Sequence, residues 1–557
     1  MKVASITFEH LLFASAVALT GCASSPGSND ELGATLANAP AATPAAKTFA
    51  SLTNAPSFTP SLVQVLTDGR VIAQDYLTNN WWALTPDNTG SYIDGTWSAL
   101  ASGPSGYEPL FYASAVLPDG RFFTGGGEYN AADTSAPNDG NDWGKLAAIY
   151  DPVANKWTSV TMPAAWTMMG DAQSVVFPDG RYMVADCCED HAAILNPANL
   201  TWDSDSTIGA NKGDSNYDEE GWTLLPNGKV LSVDAIDVTA NVQESEMLDP
   251  ATIAWTNAGT VGVQLADNDA ARNPDGDFAS EELGPQVLRP DGTVISFGAL
   301  GPNAVYNTNT QAWSTAPSFP NGLDCADAAA SLLPNGNVLV VTTAGVYGMS
   351  DSVFFEWDGT KLNQLAGPSD AANNGSYQYT MVVLPTGEVL VSTQTSLQVY
   401  EPTAPTNTSA YEPVITSVPV LEDTSGFSGA ELAQIRANEA APLPVGVEGQ
   451  LDLLPLMDIY TGRTYSVSGT RLNGISQGAA YGDDAQTATN FPLVRFTNQT
   501  TNHVQYGRTH DGSNYAIALT TTGSTHLDVP TTIEKGLSNM QVVANGIASP
   551  AILVNVK

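Results

Sequence analysis

Val382-Val383-Leu384-Pro385-Thr386-Gly387-Glu388-Val389-Leu390-Val391 carries the pattern that organises this chain. Two aliphatic, β-branched runs flank a Pro-Thr-Gly triplet. Proline presets the first turn dihedral and glycine accepts a positive φ, so the runs are predicted to fold back as an antiparallel hairpin. The same unit stands at Thr67-Asp68-Gly69, Pro118-Asp119-Gly120, Pro178-Asp179-Gly180, Pro226-Asn227-Gly228, Pro290-Asp291-Gly292 and Pro334-Asn335-Gly336, making seven copies. Their glycines are 44 to 64 residues apart.

A second signature follows the turns. Asp151-Pro152, Asn196-Pro197, Asp249-Pro250 and Asn307-Thr308 each precede a tryptophan by a constant interval, at Trp157, Trp202, Trp255 and Trp313. This reads as a third strand, a turn, and a fourth strand opening on Trp. A four-stranded unit cannot bury both of its faces alone, so stacked neighbours must supply the missing core. The tryptophans therefore read as packing residues between units, not as ligand platforms. The period resembles that of kelch repeats, and the expected fold class is all-β: a seven-bladed kelch-like β-propeller followed by an immunoglobulin-like β-sandwich. Blade seven lacks a fourth strand after Val399-Tyr400-Glu401-Pro402. Phe49-Ala50-Ser51-Leu52, ahead of the first repeat, has the character to supply it and close the ring.

With 557 residues the chain is too long for one core. The expected segments are a leader at 1–21, a tether at 22–46, the propeller at 47–402, a linker at 403–412 and the sandwich at 413–557. The sandwich is read from short alternating runs such as Thr464–Gly469 and Leu493–Phe496, with a short helix near Glu431–Ala440. Acidic residues outnumber basic ones 58 to 19, for a formal net charge of −39. That charge repels phosphate backbones and anionic lipid, which excludes nucleic acid as an expected partner. It leaves cations, neutral glycans and basic polymers.

At the N-terminus, Leu11–Leu19 is an apolar run too short for comfortable membrane spanning, and it ends in Leu19-Thr20-Gly21-Cys22. This resembles the lipobox of bacterial lipoproteins. The resemblance implies lipidation at Cys22, export, and sorting to the outer membrane or cell surface, with membrane contact through that anchor alone. The Ala-, Ser- and Pro-rich residues behind it read as a flexible tether. Of the remaining cysteines, Cys187, Cys188 and Cys325, an exported protein favours disulfides. A vicinal Cys187–Cys188 bond or a pairing of either with Cys325 is expected. A metal site from these cysteines and His191 is a weaker reading, since no CxxC spacing is present.

Repeats followed by the stretch Gly474-Ile475-Ser476-Gln477-Gly478-Ala479-Ala480-Tyr481-Gly482-Asp483-Asp484 resemble the galactose oxidase/glyoxal oxidase architecture, a propeller joined to an early-set domain. That family uses copper and a cysteine-linked tyrosine radical. At the offset where the resemblance implies a Tyr-His pair, this chain has Tyr377-Gln378, and an amide is a poor copper ligand. Asp171 stands where the linked tyrosine is implied, and only His510 offers a counterpart to a copper imidazole. Copper radical chemistry is therefore not expected.

What remains is acidic. Seven residues before a turn proline stand Asp171, Glu219, Asp327 and Gln378, with Glu282 one residue out of register. Inner strands converge on the channel of a propeller, so equal offsets should place these groups, with Tyr377, around one entrance. Asp171, Glu219 and Asp327 are the candidate ligands for a divalent cation such as calcium. The glycines Gly125-Gly126-Gly127 open no helix and read as a tight edge near the channel. The leading expectation is a monomeric, surface-anchored protein that binds an extracellular glycan or protein on the channel face. The alternative is a metal-assisted hydrolase or lyase acting on polysaccharide through the acidic ring.

Overall fold

In the computed structural model, described for residues 48–132, 144–171, 173–187, 191–203, 212, 217, 219–239, 242–266, 282–345, 348–440, 456–482 and 487–557, seven four-stranded antiparallel blades form a ring. The leader and tether lie outside the described residues. The innermost strands are Pro60–Val65, Ala113–Val116, Ser174–Val176, Thr223–Leu224, Gln286–Leu288, Ala329–Leu332 and Tyr379–Val383. Each is followed by the turn that the sequence marks. All seven turn glycines have φ between +79° and +90°, the left-handed region that a β-carbon disfavours.

The ring closes as expected. Phe49–Ser51 pairs antiparallel with Leu397–Tyr400, with Phe49 opposite Tyr400 and Ser51 opposite Gln398. The Phe49 ring packs on Tyr400 at 5.0 Å and on Phe354 of blade six at 5.1 Å. The tryptophans join blades too. Trp157 lies 4.8 Å from Trp81 and donates its indole N–H to Ala101 O, while Trp202 donates to Thr161 O and Trp313 to Ser245 Oγ.

A further set of staples runs along the turns. Arg121 follows its turn, pairs back to Asp119, and donates across to Pro197 O of blade three. Arg181 pairs with Asp179 and donates to Pro250 O of blade four at 2.6 Å. Arg289 precedes its turn, yet it bonds Asp291 and then Gly336 O and Asp358 O of blade six. The two repeat signatures thus meet: a turn arginine of one blade satisfies a carbonyl in a turn of the next.

The C-terminal strands form one continuous ladder, in the order Val414–Ile415, Thr464–Thr470, Thr522–Asp528, Val504–His510, Leu493–Asn498, Gly536–Ala544, Ile552–Val556 and Met457–Ile459. It curls so that Tyr465, Val467 and Leu527 of one half share a core with Val494, Phe496, Met540 and Val554 of the other. The helix Gly429–Glu439 starts at Ser428, whose side chain accepts from Glu431 N while Glu431 returns the bond to Ser428 N.

This sandwich docks on the turn end of the propeller. The Tyr506 ring lies against Gly69, Asp511 N donates to Pro118 O at 2.7 Å, and Tyr515 N donates to Pro178 O at 2.9 Å. Seven residues of extended chain span about 20 Å. The ring entrance seven residues upstream of the turns is therefore the opposite mouth.

Candidate functional site

The inner-strand entrances bring Glu219, Glu282 and Asp327 together. One carboxylate oxygen from each lies within 4.8 Å of the others, and all three side chains are half-buried. They come from blades four, five and six. Glu219 and Asp327 both sit at positive φ, +62° and +45°, so the backbone leaves its preferred region where it delivers these carboxylates. Glu282 joins the cluster from one residue out of register because Leu283, at the repeat position, is fully buried in a core between blades.

Asp171 flanks this group from blade three. Burial pushes its carboxyl up to about 6. Tyr129 has its phenol pushed up by burial and by the neighbouring charges of Glu128, Glu282 and Asp171. The three glycines of blade two explain how Asp171 gets there. Gly127 N donates to Gly170 O at 2.6 Å, and a β-carbon on Gly126 would come within 2.0 Å of that oxygen. Only glycine lets the two backbones touch just ahead of Asp171.

Gln378 departs from the acidic group, while Tyr377 joins the aromatic side of the mouth. Ser376–Gln378 forms a single 3-10 turn, and the Gln378 carboxamide folds back to accept from Gly375 N at 2.8 Å while its Nε2 contacts Gln394. Both residues line a separate small cavity with Phe111, Tyr112 and Tyr481. The aromatic side of the mouth is built there: Phe111 stacks on Tyr481 at 5.7 Å and meets Tyr129 and Tyr377 at 6.4 Å each.

A finger from the C-terminal region fills the channel between these two halves. Residues 474–482 rise through the ring, and Ala479–Tyr481 adds an antiparallel strand to Ala329–Ser331 of blade six. Gln477 Oε1 accepts from Leu224 N at 2.8 Å, and Leu332 N donates to Gly478 O at 2.6 Å. At the top, the Tyr481 hydroxyl donates to Tyr377 O at 2.7 Å. Gly482 N donates to Ala328 O at 3.0 Å, beside the carboxylates. Asp483 and Asp484 lie outside the described residues. Nothing in the repeat pattern announces this finger, because its partners are the inner strands of other blades; its glycine-rich composition is the one local sign.

Three expectations are corrected. Cys325 is a free, buried thiol, so it pairs with neither neighbour of the Cys187-Cys188 pair. Cys187 is disulfide-bonded, and Cys188 lies outside the described residues. A sulfur held in a disulfide is no thiolate ligand, which removes Cys187 from a metal site with His191. His510 stands at the sandwich end of the channel beside Pro118 and Tyr515, a channel length from the acidic mouth. It is therefore no counterpart to a copper imidazole at that mouth.

No protein-family model matches the chain. A kelch-like protein of Aspergillus terreus is 28% identical over 135 residues, which is 24% of this chain and 26% of that relative. The match thus spans about a quarter of the curated relative's length. Among solved structures, a copper-bound fungal alcohol oxidase of the AA5 family covers 91% of this chain and 99% of its own, with 12% identity and a TM-score of 0.47. A streptogramin B lyase covers 64% of this chain and 97% of its own, with 13% identity and a TM-score of 0.41.

Proposed function

We propose that this propeller is a cation-dependent binding protein whose recognition surface is the open channel mouth. Glu219, Glu282 and Asp327 hold a divalent cation of the calcium class, and the faces of Phe111, Tyr129 and Tyr377 receive an extracellular glycan. The observation that carries the reading is the meeting of three carboxylates from three successive blades. Hard oxygen ligands of this kind suit Ca²⁺, whose remaining positions can take sugar hydroxyls. Beside the cluster, the exposed ring of Tyr129 and the partly buried rings of Phe111 and Tyr377 offer apolar faces to the sugar. In this reading the protein is held at the outer membrane or cell surface by a lipid on Cys22.

We do not read it as a copper radical oxidase. Support comes from Gln378, whose amide is spent on Gly375, and from Asp171 at the position where the resemblance implies the linked tyrosine. A second reading rests on Asp171, whose carboxyl burial pushes up to about 6. A carboxyl that exchanges protons near neutral pH beside a bound cation is equipped for acid/base cleavage of a polysaccharide.

Elemental analysis of protein purified without chelator, followed by calorimetric titration of Ca²⁺, tests the main reading. One equivalent, lost in E282Q and D327N, and calcium-dependent retention on a glycan array are expected. A folded wild-type protein that takes up no divalent ion would overturn it. Polysaccharide turnover lost in D171N would move the assignment to the hydrolase or lyase.

A further inference from the structure

The C-terminal ladder carries a second constellation, at the opposite end of the channel. Strands Val504–His510 and Thr522–Asp528 are antiparallel neighbours, and His510 stands directly opposite His526. Cross-strand partners share a face, and so do residues two apart on one strand. His510, His526 and Asp528 are therefore on one face by construction. The two imidazole rings approach to 5.4 Å in an edge-to-face arrangement. Asp511, next along the chain, brings its Oδ2 to 2.7 Å from His510 Nδ1. One ligand atom from each of His510, Asp511 and His526 falls within 4.8 Å of the other two.

We propose that His510, Asp511 and His526 form a zinc-class transition-metal site at the junction of sandwich and propeller. The ligand set decides the metal. Two imidazoles with one carboxylate suit Zn²⁺ or a neighbour in the first transition row, whereas calcium prefers oxygen alone. The surroundings of His510 supply the independent observation. Asp528 Oδ2 lies 3.2 Å from His510 Nε2, the nitrogen away from Asp511. In the ion-free site one imidazole proton must lie between Nδ1 and Asp511 Oδ2; a metal displacing that proton would find Asp528 on the Nε2 side of the ring, the placement of carboxylate–histidine–metal triads. Asp528 is itself fixed by Arg508 Nη1 at 3.0 Å and by the Thr464 hydroxyl at 2.7 Å. An orienting group held by two partners is more than a surface ion pair needs.

The position gives the site a consequence. Asp511 N donates to Pro118 O, and Arg508 Nη2 donates to Asp119 O at 2.6 Å. The ligand-bearing segment is thus bonded to the turn of blade two. A metal held by Asp511 and the two sandwich strands would lock that turn to the ladder and fix the base of the channel finger.

The test uses the full-length, chelator-treated chain and metal ions alone. Calorimetry with Zn²⁺ should give one equivalent that disappears in H510A and H526Q and weakens about ten- to a hundredfold in D528N. Co²⁺ should give visible absorption bands of a four-coordinate nitrogen–oxygen site in wild type and none in H526Q. Near-UV circular dichroism identical to wild type shows that His526→Gln is folded. Zinc binding at full strength in folded H526Q, no zinc uptake by wild type, or loss of zinc in E282Q would each overturn the assignment.

Discussion

Gly482, at the tip of the channel finger, rests on Asp327: a β-carbon on this glycine would lie 2.6 Å from Asp327 Oδ1 and 3.0 Å from its Cα. The glycine also has φ +37°, on the positive side that favours the absence of a side chain. Finger and carboxylate cluster are therefore one assembly. Gly482→Ala should push Asp327 out of line and weaken calcium binding about ten- to a hundredfold, in the manner of a lost orienting contact. Calorimetry compares it with wild type, and unchanged affinity would separate the finger from the site.

The blade staples predict a stability effect away from any site. Arg289 has a side chain only 10% exposed and bonds Asp291, Gly336 O and Asp358 O. Hydrogen bonds to charged groups contribute about 1.5–3 kcal/mol each when buried. Arg289→Ala should cost on the order of 2–3 kcal/mol in urea unfolding, with calcium binding unaffected. Arg289→Lys should recover little, because one ammonium cannot reach all three acceptors.

Asp324 predicts a pH dependence. Burial raises its carboxyl to about 7 in the folded protein. The unfolded chain releases that proton at about pH 4. Between those values the native state holds the proton more tightly, so this group's contribution to stability falls as pH rises from about 4 to about 7 and then levels off. Asp324→Asn should flatten that part of the curve of melting temperature against pH. Parallel curves for wild type and D324N would refute the assignment.

Cys325 is buried, and burial together with Asp324 pushes its thiol up. The native protein should leave it unmodified by a thiol reagent at neutral pH, with reaction appearing only on unfolding. Mass spectrometry of Cys325→Ala should find the Cys187 disulfide intact. Its loss would mean that Cys325 takes part in the pairing after all.

How much of this was written in the sequence can be argued residue by residue. The ring was legible because each turn glycine needs a positive φ, and such a requirement recurs visibly. The carboxylates were legible for a related reason, since inner strands repeat one register; Glu219 and Asp327 met as the offset implied. Register alone misjudged the neighbours. Glu282 lies off the offset yet enters the cluster, because Leu283 is claimed by a core between blades. Gln378 lies on the offset yet leaves it, because a local 3-10 turn offers its amide a nearer partner in Gly375 N. The finger stood out as a stretch but not as a channel filler, and the arginine staples escaped altogether: their partners are carbonyls and strand edges, which leave no mark in the identity of the residues that bear them.

The pairing of Phe49 with Tyr400 also has a consequence in time. Ribosomes add about 5–20 residues per second, so the first strand waits on the order of half a minute before its partner exists. Throughout that interval Phe49–Ser51 has no strand to pair with and its edges stay open. Such edges template intermolecular pairing, so the nascent chain is at its most adhesive just before it is finished. A chain stalled short of Leu397–Tyr400 would never close its ring through this pairing.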